Sequence, residues 1–342
     1  MARKLLYSSP HPSVAPGWVL VTGGTGTIGE QLVTRLLAAH RRVRIFSRDE
    51  SKQSEMAGRL GKLGFEPSRW RMFIGDVRDA DRLERALDGV STVYHLAALK
   101  HVDSCEYNPI EAIRTNIVGV ENLVRLCPKA GVRAVVSTSS DKAAEPNNLM
   151  GATKLVGERL ITQANAYGRG CRFMSIRFGN VLGSRGSVLP RWREEVRHGR
   201  TVSVTDPRMT RFVMSPQEAV DLVLWATGGA GGEVFVRDMP VVRLEDLAAC
   251  AVRAWASEPV EIREVGPRPG ETMHEKLITD EEVSRTVEVR GHYAILPNIL
   301  FGHVDYSVYD KCPKLTAPYS SDRVEPLGRP VLQEWLKERG LL

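Results

Sequence analysis

The sequence predicts an α/β fold: a Rossmann-type, doubly wound parallel sheet followed by a smaller C-terminal α/β lobe that faces substrate. Three observations point there. Short β-rich runs alternate with amphipathic helical stretches through the first half, the rhythm of parallel strands joined by crossover helices. A glycine-rich turn, Gly23-Gly24-Thr25-Gly26-Thr27-Ile28-Gly29, sits between the first strand and the first helix. The second half loses the rhythm and fills with Gly- and Pro-rich connections.

Strands are expected at 18–21, 43–46, 72–74, 92–96, 134–137 and 172–176. The first helix carries Ile28, Leu32, Val33, Leu36 and Leu37 at the spacing of one buried face. A long helical stretch is expected over 109–126, with further helices at 190–198, 216–226 and 244–255. The domain plan is a proline-rich flexible arm at 1–17, a dinucleotide-binding domain at 18–180, mainly a substrate-binding lobe at 181–285, and a C-terminal tail packing on the body at 286–342. A chain of 342 residues has room for both lobes.

The formal charge of +6 is not gathered into a Lys/Arg run and does not alternate with aromatics. That argues against a nucleic-acid platform and leaves small anionic ligands as the partners. No apolar run approaches the roughly 18–20 residues of a membrane helix, and the first residues lack the apolar core of a signal peptide. The five cysteines are odd in number, widely spaced and without a CxxC pair. They predict neither a disulfide framework nor a metal site, and a cytoplasmic location without membrane insertion.

Glycines at 23, 26 and 29 let the backbone turn tightly and approach a pyrophosphate, which the N–H groups of the following helix then hold. Thr25, Thr27 and Ile28 complete that loop. NAD enzymes place an acid at the end of strand two for the ribose hydroxyls. Here the position reads Ser47-Arg48, with Asp49 and Lys52 close behind. Ser and Arg can bond and neutralise a 2′-phosphate, so NADP is expected over NAD, although Asp49 could still reach a ribose hydroxyl. Asp76-Val77 after strand three would border the adenine. Leu96, Ala97 and Ala98 after strand four would line the rest of the site.

Short-chain dehydrogenases carry a hydroxyl after strand five and a YxxxK on the next helix. The lysine binds the nicotinamide ribose and lowers the tyrosine pKa. In this chain the hydroxyl is Ser140 and the lysine Lys154, but Met150 holds the tyrosine position and cannot titrate. Asp141-Lys142 directly after the hydroxyl could be a solvated turn. Facing a nicotinamide, however, it is the acid–base pair a dehydratase needs.

Taken together, TGGTGTIG (22–29), FSRDESKQ (46–53), IGDVRD (74–79), AALKH (97–101), EYNP (106–109), SSDKAAEPNNLMGATK (139–154), GNVLGSRGSV (179–188), DPRMTRF (206–212), GGEVFV (231–236), RPGETMHE (268–275) and YSSD (319–322) resemble the bacterial UDP-N-acetylglucosamine 4,6-dehydratase family. That family is the polysaccharide-biosynthesis branch of the extended short-chain dehydrogenases. Its soluble members that invert C5 usually have Tyr at the Met150 position. Its larger, membrane-anchored members that retain C5 have Met, so the stereochemical outcome stays open.

The resemblance implies oxidation of the sugar at C4, elimination of water across C5 and C6, and return of the hydride to C6, with a tightly bound cofactor recycled each turn. Within that scheme Lys142 is the C5 base, for which a lowered pKa is expected. Asp141 is the acid toward the 6-hydroxyl, Ser140 holds the C4 hydroxyl and Lys154 the ribose. Asp141 or a water takes the C4 proton. Lys100, Asn180, Arg185 and Arg268 are the candidates for the UDP-sugar, with Arg208 and Arg211 weaker ones, and His101 and His274 are expected to be structural. A homo-oligomer built on helices of the Rossmann half is expected by the same resemblance. A UDP-sugar 4-epimerase on the same fold would have no use for Asp141-Lys142 and would want the missing tyrosine; a 5,6-dehydratase on the same fold is the other enzyme alternative. A non-catalytic NADP sensor would explain Met150 but not the retained Lys154.

Overall fold

The structure, a computed structural model, describes residues 15–342 apart from 169, 200 and 269. Most of the arm expected at 1–17 lies outside the described residues. Six parallel strands form the frame: β1 (Trp18–Thr22), β2 (Arg42–Ser47), β3 (Trp70–Ile74), β4 (Val90–His95), β5 (Ala134–Thr138) and β6 (Arg172–Arg177). They lie in the order β3-β2-β1-β4-β5-β6. Each expected strand is present, with its ends displaced by one or two residues. Val19, Leu20 and Val21 are all buried, as are Val135 and Val136. Such unbroken apolar runs fit strands covered on both faces. The strand order reverses between β1 and β4, so a crevice opens beyond their carboxyl ends.

Helices α1 (Thr27–Ala38), α2 (Glu50–Lys62) and α3 (Ala80–Leu87) make the first crossovers, followed by the short α4 (Val102–Tyr107). The stretch expected as one helix over 109–126 is continuous but not regular. A π turn, Arg114–Val118, separates α5 (Pro109–Ile113) from α6 (Gly119–Leu126). Asn116 in that turn bonds Leu99 through both its N–H (2.9 Å) and its carbonyl (3.0 Å), pinning the loop after β4. Helix α7 (Leu149–Gln163) follows β5.

The smaller lobe is built from β7 (Asn180–Val181), α8 (Val188–Arg197), β8 (Val202–Val204) and β9 (Thr210–Met214). After them the chain returns to the large sheet. Helix α9 (Pro216–Ala226) packs against α1, and β10 (Val234–Arg237) pairs parallel with β6. The chain then crosses back through β11 (Val241–Arg243), α10 (Leu244–Trp255), β12 (Ile262–Glu264), β13 (Lys276–Ile278) and α11 (Asp280–Val283). A hairpin of β14 (Thr286–Val289) and β15 (His292–Ile295) completes the nine-stranded sheet, antiparallel to β10. Strand β16 (Tyr319–Ser320) pairs with β13, and α12 (Arg329–Glu338) ends the chain.

Residues 181–285 are thus divided between lobe and sheet, and 286–342 is more than a tail. Leu332 and Leu336 of α12 are fully buried in the small lobe, beside Trp192, Val202 and Leu247. These are long-range pairings, which local periodicity does not encode. Among the described residues no helix is long and apolar enough to cross a membrane.

Candidate active site

A cleft of about 840 Å³ runs along the carboxyl ends of the parallel strands. Its floor begins with the glycine loop. Gly23 has φ +66°, and a Cβ there would meet the Ala97 nitrogen at 2.7 Å. A Cβ on Gly29 would stand 2.5 Å from the Gly23 carbonyl oxygen. Only glycine allows this close backbone path. No side chain caps α1 at Gly26, so the first-turn N–H groups stay available to an anion. The cradle therefore fits a dinucleotide pyrophosphate. Thr25, Thr27 and Ile28 line the cleft beside it.

Ser47, Arg48, Asp49 and Lys52 form the edge after β2. Asp49 caps α2, accepting from the Lys52 N–H at 3.0 Å, and pairs with the Lys52 ammonium at 2.6 Å. Both charges of that pair are engaged with each other. Arg48 stays half-exposed, 3.6 Å from the Asp76 carboxylate. Burial works against ionised Asp76, but Arg78, bonded at 2.6 Å, outweighs it and holds the carboxyl below its usual range. Asp76, Val77, Leu96, Ala97 and Ala98 all line the cleft.

The candidate catalytic side chains gather where β5 meets α7. Ser140 donates to Asp141 at 2.6 Å, and Lys142 Nζ donates to the other Asp141 oxygen at 2.8 Å. Asp141 is buried and Lys142 half-buried. The turn is held by α7: a Cβ on Gly151 would sit 2.3 Å from the Lys142 carbonyl oxygen. Met150 is buried against Cys105 and Ala112 and also lines the cleft. Lys154 Nζ donates to the Thr138 carbonyl at 2.9 Å, and burial pushes its pKa down to about 8.

Lys142 departs from expectation. Burial alone would lower its pKa, but the carboxylates of Asp141 and Glu275 together raise it. The resting turn is an ion pair, not a free amine beside an acid.

Of the four expected substrate residues, three line the cleft. Lys100 donates to the Arg185 carbonyl at 2.8 Å, and Arg185 folds back onto the glycine loop, bonding the Thr25 carbonyl. Asn180 donates to Glu275 at 2.8 Å. Arg268 is exposed on its loop, its N–H bonded to Glu271 at 3.1 Å, and is not among the lining residues. Arg208 is tied to Asp206 at 2.7 Å, and His274 shares a 2.8 Å bond with Thr210. Glu275, Asn116 and Gly151 shape the site without having been singled out. Glu275 closes the RPGETMHE run, which was the available signal. A polar side chain inside a helical stretch was the only trace of Asn116.

A glycine cradle for a dinucleotide, facing a hydroxyl–acid–lysine turn across one cleft, is the layout of an extended short-chain dehydrogenase acting on nucleotide sugars. The chain belongs to the polysaccharide biosynthesis protein family, whose model matches residues 19–297. It is 41% identical over 289 residues to a UDP-N-acetylglucosamine 4,6-dehydratase (inverting) of Campylobacter jejuni, covering 83% of this chain and 84% of that one. A UDP-glucose 4-epimerase of Rickettsia prowazekii is 38% identical over 285 residues, covering 81% and 82%. Pen from Bacillus thuringiensis matches in structure with a TM-score of 0.88 at 36% identity, over 96% of this chain and 99% of that one. MoeE5 in complex with UDP-glucose and NAD matches with a TM-score of 0.65 at 26% identity, over 75% and 87%. The protein is an enzyme of the nucleotide-sugar dehydratase/epimerase class.

Proposed function

We propose that the protein is a 4,6-dehydratase converting UDP-N-acetylglucosamine to a 4-keto-6-deoxy sugar nucleotide. The hydrogen-bonded chain Ser140–Asp141–Lys142 carries this reading. Moving a hydride at C4 calls for one base at one hydroxyl. Eliminating water across C5 and C6 calls for a base at carbon and an acid at oxygen, and this pair offers both.

The bound nicotinamide supplies oxidation at C4 and reduction at C6. The residues do the rest. Ser140 holds the C4 hydroxyl, and Lys154 holds the nicotinamide ribose. One proton passes from Lys142 to Asp141 along their 2.8 Å bond, leaving a neutral amine beside a carboxylic acid. The amine then takes the C5 proton while the acid protonates the departing 6-hydroxyl. As C6 is reduced, Lys142 returns a proton to C5 and is reprotonated from water, which restores the resting ion pair. Met150 takes no proton, so the C4 hydroxyl proton leaves through water when Lys142 protonates Asp141, or through Asp141 when Lys142 gives its proton to water instead.

NADP is the proposed cofactor in preference to NAD. Half-exposed Arg48 lies at the ribose edge, 3.6 Å from Asp76, while Asp49 and Lys52 engage each other. MoeE5, which is bound to NAD, is the observation on the other side. Lys100, Asn180 and Arg185 are proposed to hold the diphosphate and sugar. Exposed Tyr107, Ile110 and Val118 on neighbouring helices of the Rossmann half support a homo-oligomer. The odd, scattered cysteines support a cytoplasmic location.

The 38% identical epimerase favours one second reading, a UDP-sugar 4-epimerase. Incubating the purified protein with UDP-N-acetylglucosamine and no added cofactor separates the two. A dehydratase gives a product lighter by one water, whereas an epimerase leaves the mass unchanged.

A further inference from the structure

The buried carboxylate of Glu275 immediately precedes β13, which packs directly against the 141–143 turn. Its two oxygens accept from the Asn180 amide at 2.9 and 2.8 Å, and one also accepts from the Phe212 N–H at 3.0 Å. Arg211 approaches to 3.4 Å. Its own backbone is tied to the C-terminal segment: the Glu275 N–H donates to Ser321 Oγ at 2.8 Å, and the Ser321 N–H donates to the Glu275 carbonyl at 2.8 Å. A glutamate serving only to hold a loop would not need to lie behind an Asp–Lys pair that must exchange a proton.

Building on the dehydratase reading, we propose that Glu275 is a positioning residue: it clamps Asn180 into the cleft wall and, as the second anion facing Lys142, sets how readily that lysine releases its proton. The charged groups acting on it are Asp141 and Lys142 from the turn and Arg211 from β9; His274 precedes it in sequence and Asp322 follows Ser321, its backbone partner. Burial and the Asp141 charge push the Glu275 carboxyl up to about 7, against the pull of Arg211, Lys142 and Asn180. A proton on Glu275 would take from Lys142 one of the two anions that hold its own proton.

Competitive acylation of the intact protein across pH, read by mass spectrometry of the Lys142 peptide, tests this without any turnover. Glu275→Gln keeps the shape and an acceptor for Asn180 but removes the charge. The Lys142 labelling midpoint should move to lower pH. At a fixed pH on the rising limb, that reads as about tenfold faster labelling per unit moved. Glu275→Asp, which keeps the charge, should stay near the native midpoint. An unchanged midpoint in folded Glu275→Gln overturns the proposal.

Should Glu275→Gln fail to fold, the reciprocal variant reads the same coupling. In Lys142→Ala, the infrared band of the buried Glu275 carboxylic acid should persist to higher pH than in the native protein. A band that titrates as in the native protein overturns the proposal. Failure of the native enzyme to lose water from the sugar would sink the dehydratase reading and leave both of these readouts standing.

Discussion

Replacing Gly151 with alanine should separate folding from catalysis. The new Cβ would stand 2.3 Å from the Lys142 carbonyl oxygen, where real Cβ contacts essentially never fall below 3.0 Å. The obstacle is backbone, so α7 and the Asp141–Lys142 turn must part by most of an ångström. Overpacking of this kind costs about 1–3 kcal/mol. Against a domain stability of about 5–15 kcal/mol, the protein should remain folded. Catalysis is more sensitive, because a misplacement of about 1 Å costs on the order of 10²-fold. Turnover of UDP-N-acetylglucosamine and urea unfolding should be measured together. Gly58→Ala serves as the control: nothing lies within 4 Å of its Cβ, and it is exposed on α2. It should gain about 0.5–1 kcal/mol and leave the rate alone. A folded Gly151→Ala enzyme working at the native rate would refute the idea that the turn's position controls the chemistry.

Lys142→Ala should lower water elimination by about 10²–10⁴-fold and abolish solvent-deuterium exchange at C5, while Met150→Ala keeps more activity. The reverse ranking would show the roles to be misassigned. Arg48→Ala should weaken NADP binding by about 1.5–3 kcal/mol and spare NAD, read by fluorescence titration; equal losses for both would remove the basis for an NADP preference. Arg177 is buried between Glu158 at 2.6 Å and Glu282 at 2.7 Å. Arg177→Met strands two buried carboxylates and should cost about 3–5 kcal/mol in urea unfolding, and a loss near zero would contradict that. Burial opposes ionised Glu282, but Arg177 and the Thr279 N–H hold its carboxyl below the usual value. Its contribution to stability is therefore full above the unfolded carboxyl pKa and is lost as pH falls through the folded one. The native protein should lose stability over that acidic window, and a flat profile there would contradict the assignment.

The first half of the fold was legible because its strands are short and β-rich, β1 and β5 are apolar on both faces, and helices with one buried face separate them. Val19 to Val21 and the α1 stripe need no distant partner to declare themselves. The phosphate loop and the Asp141-Lys142 turn were legible for a related reason, since each is contiguous in sequence. Strands β10, β14 and β15 were harder to place. Val-Phe-Val at 234–236 was noted only within the GGEVFV motif, and nothing in it tells that it joins β6, more than fifty residues earlier. Glu275 was hidden the same way, because its meaning lies in Asn180 and Lys142, both distant in sequence. A lowered lysine pKa was expected from burial and a cationic cofactor, without that second carboxylate in view. Burial alone argues for a lowered pKa, and only the assembled charges reverse the sign.

The central claim is that one sugar passes through oxidation, elimination and reduction without leaving the cleft. UDP-N-acetylglucosamine carrying deuterium at C4 tests it most directly. The product should be one water lighter than the substrate, with the deuterium now on C6. A product of unchanged mass, or a dehydrated one whose C6 carries no deuterium, would contradict it.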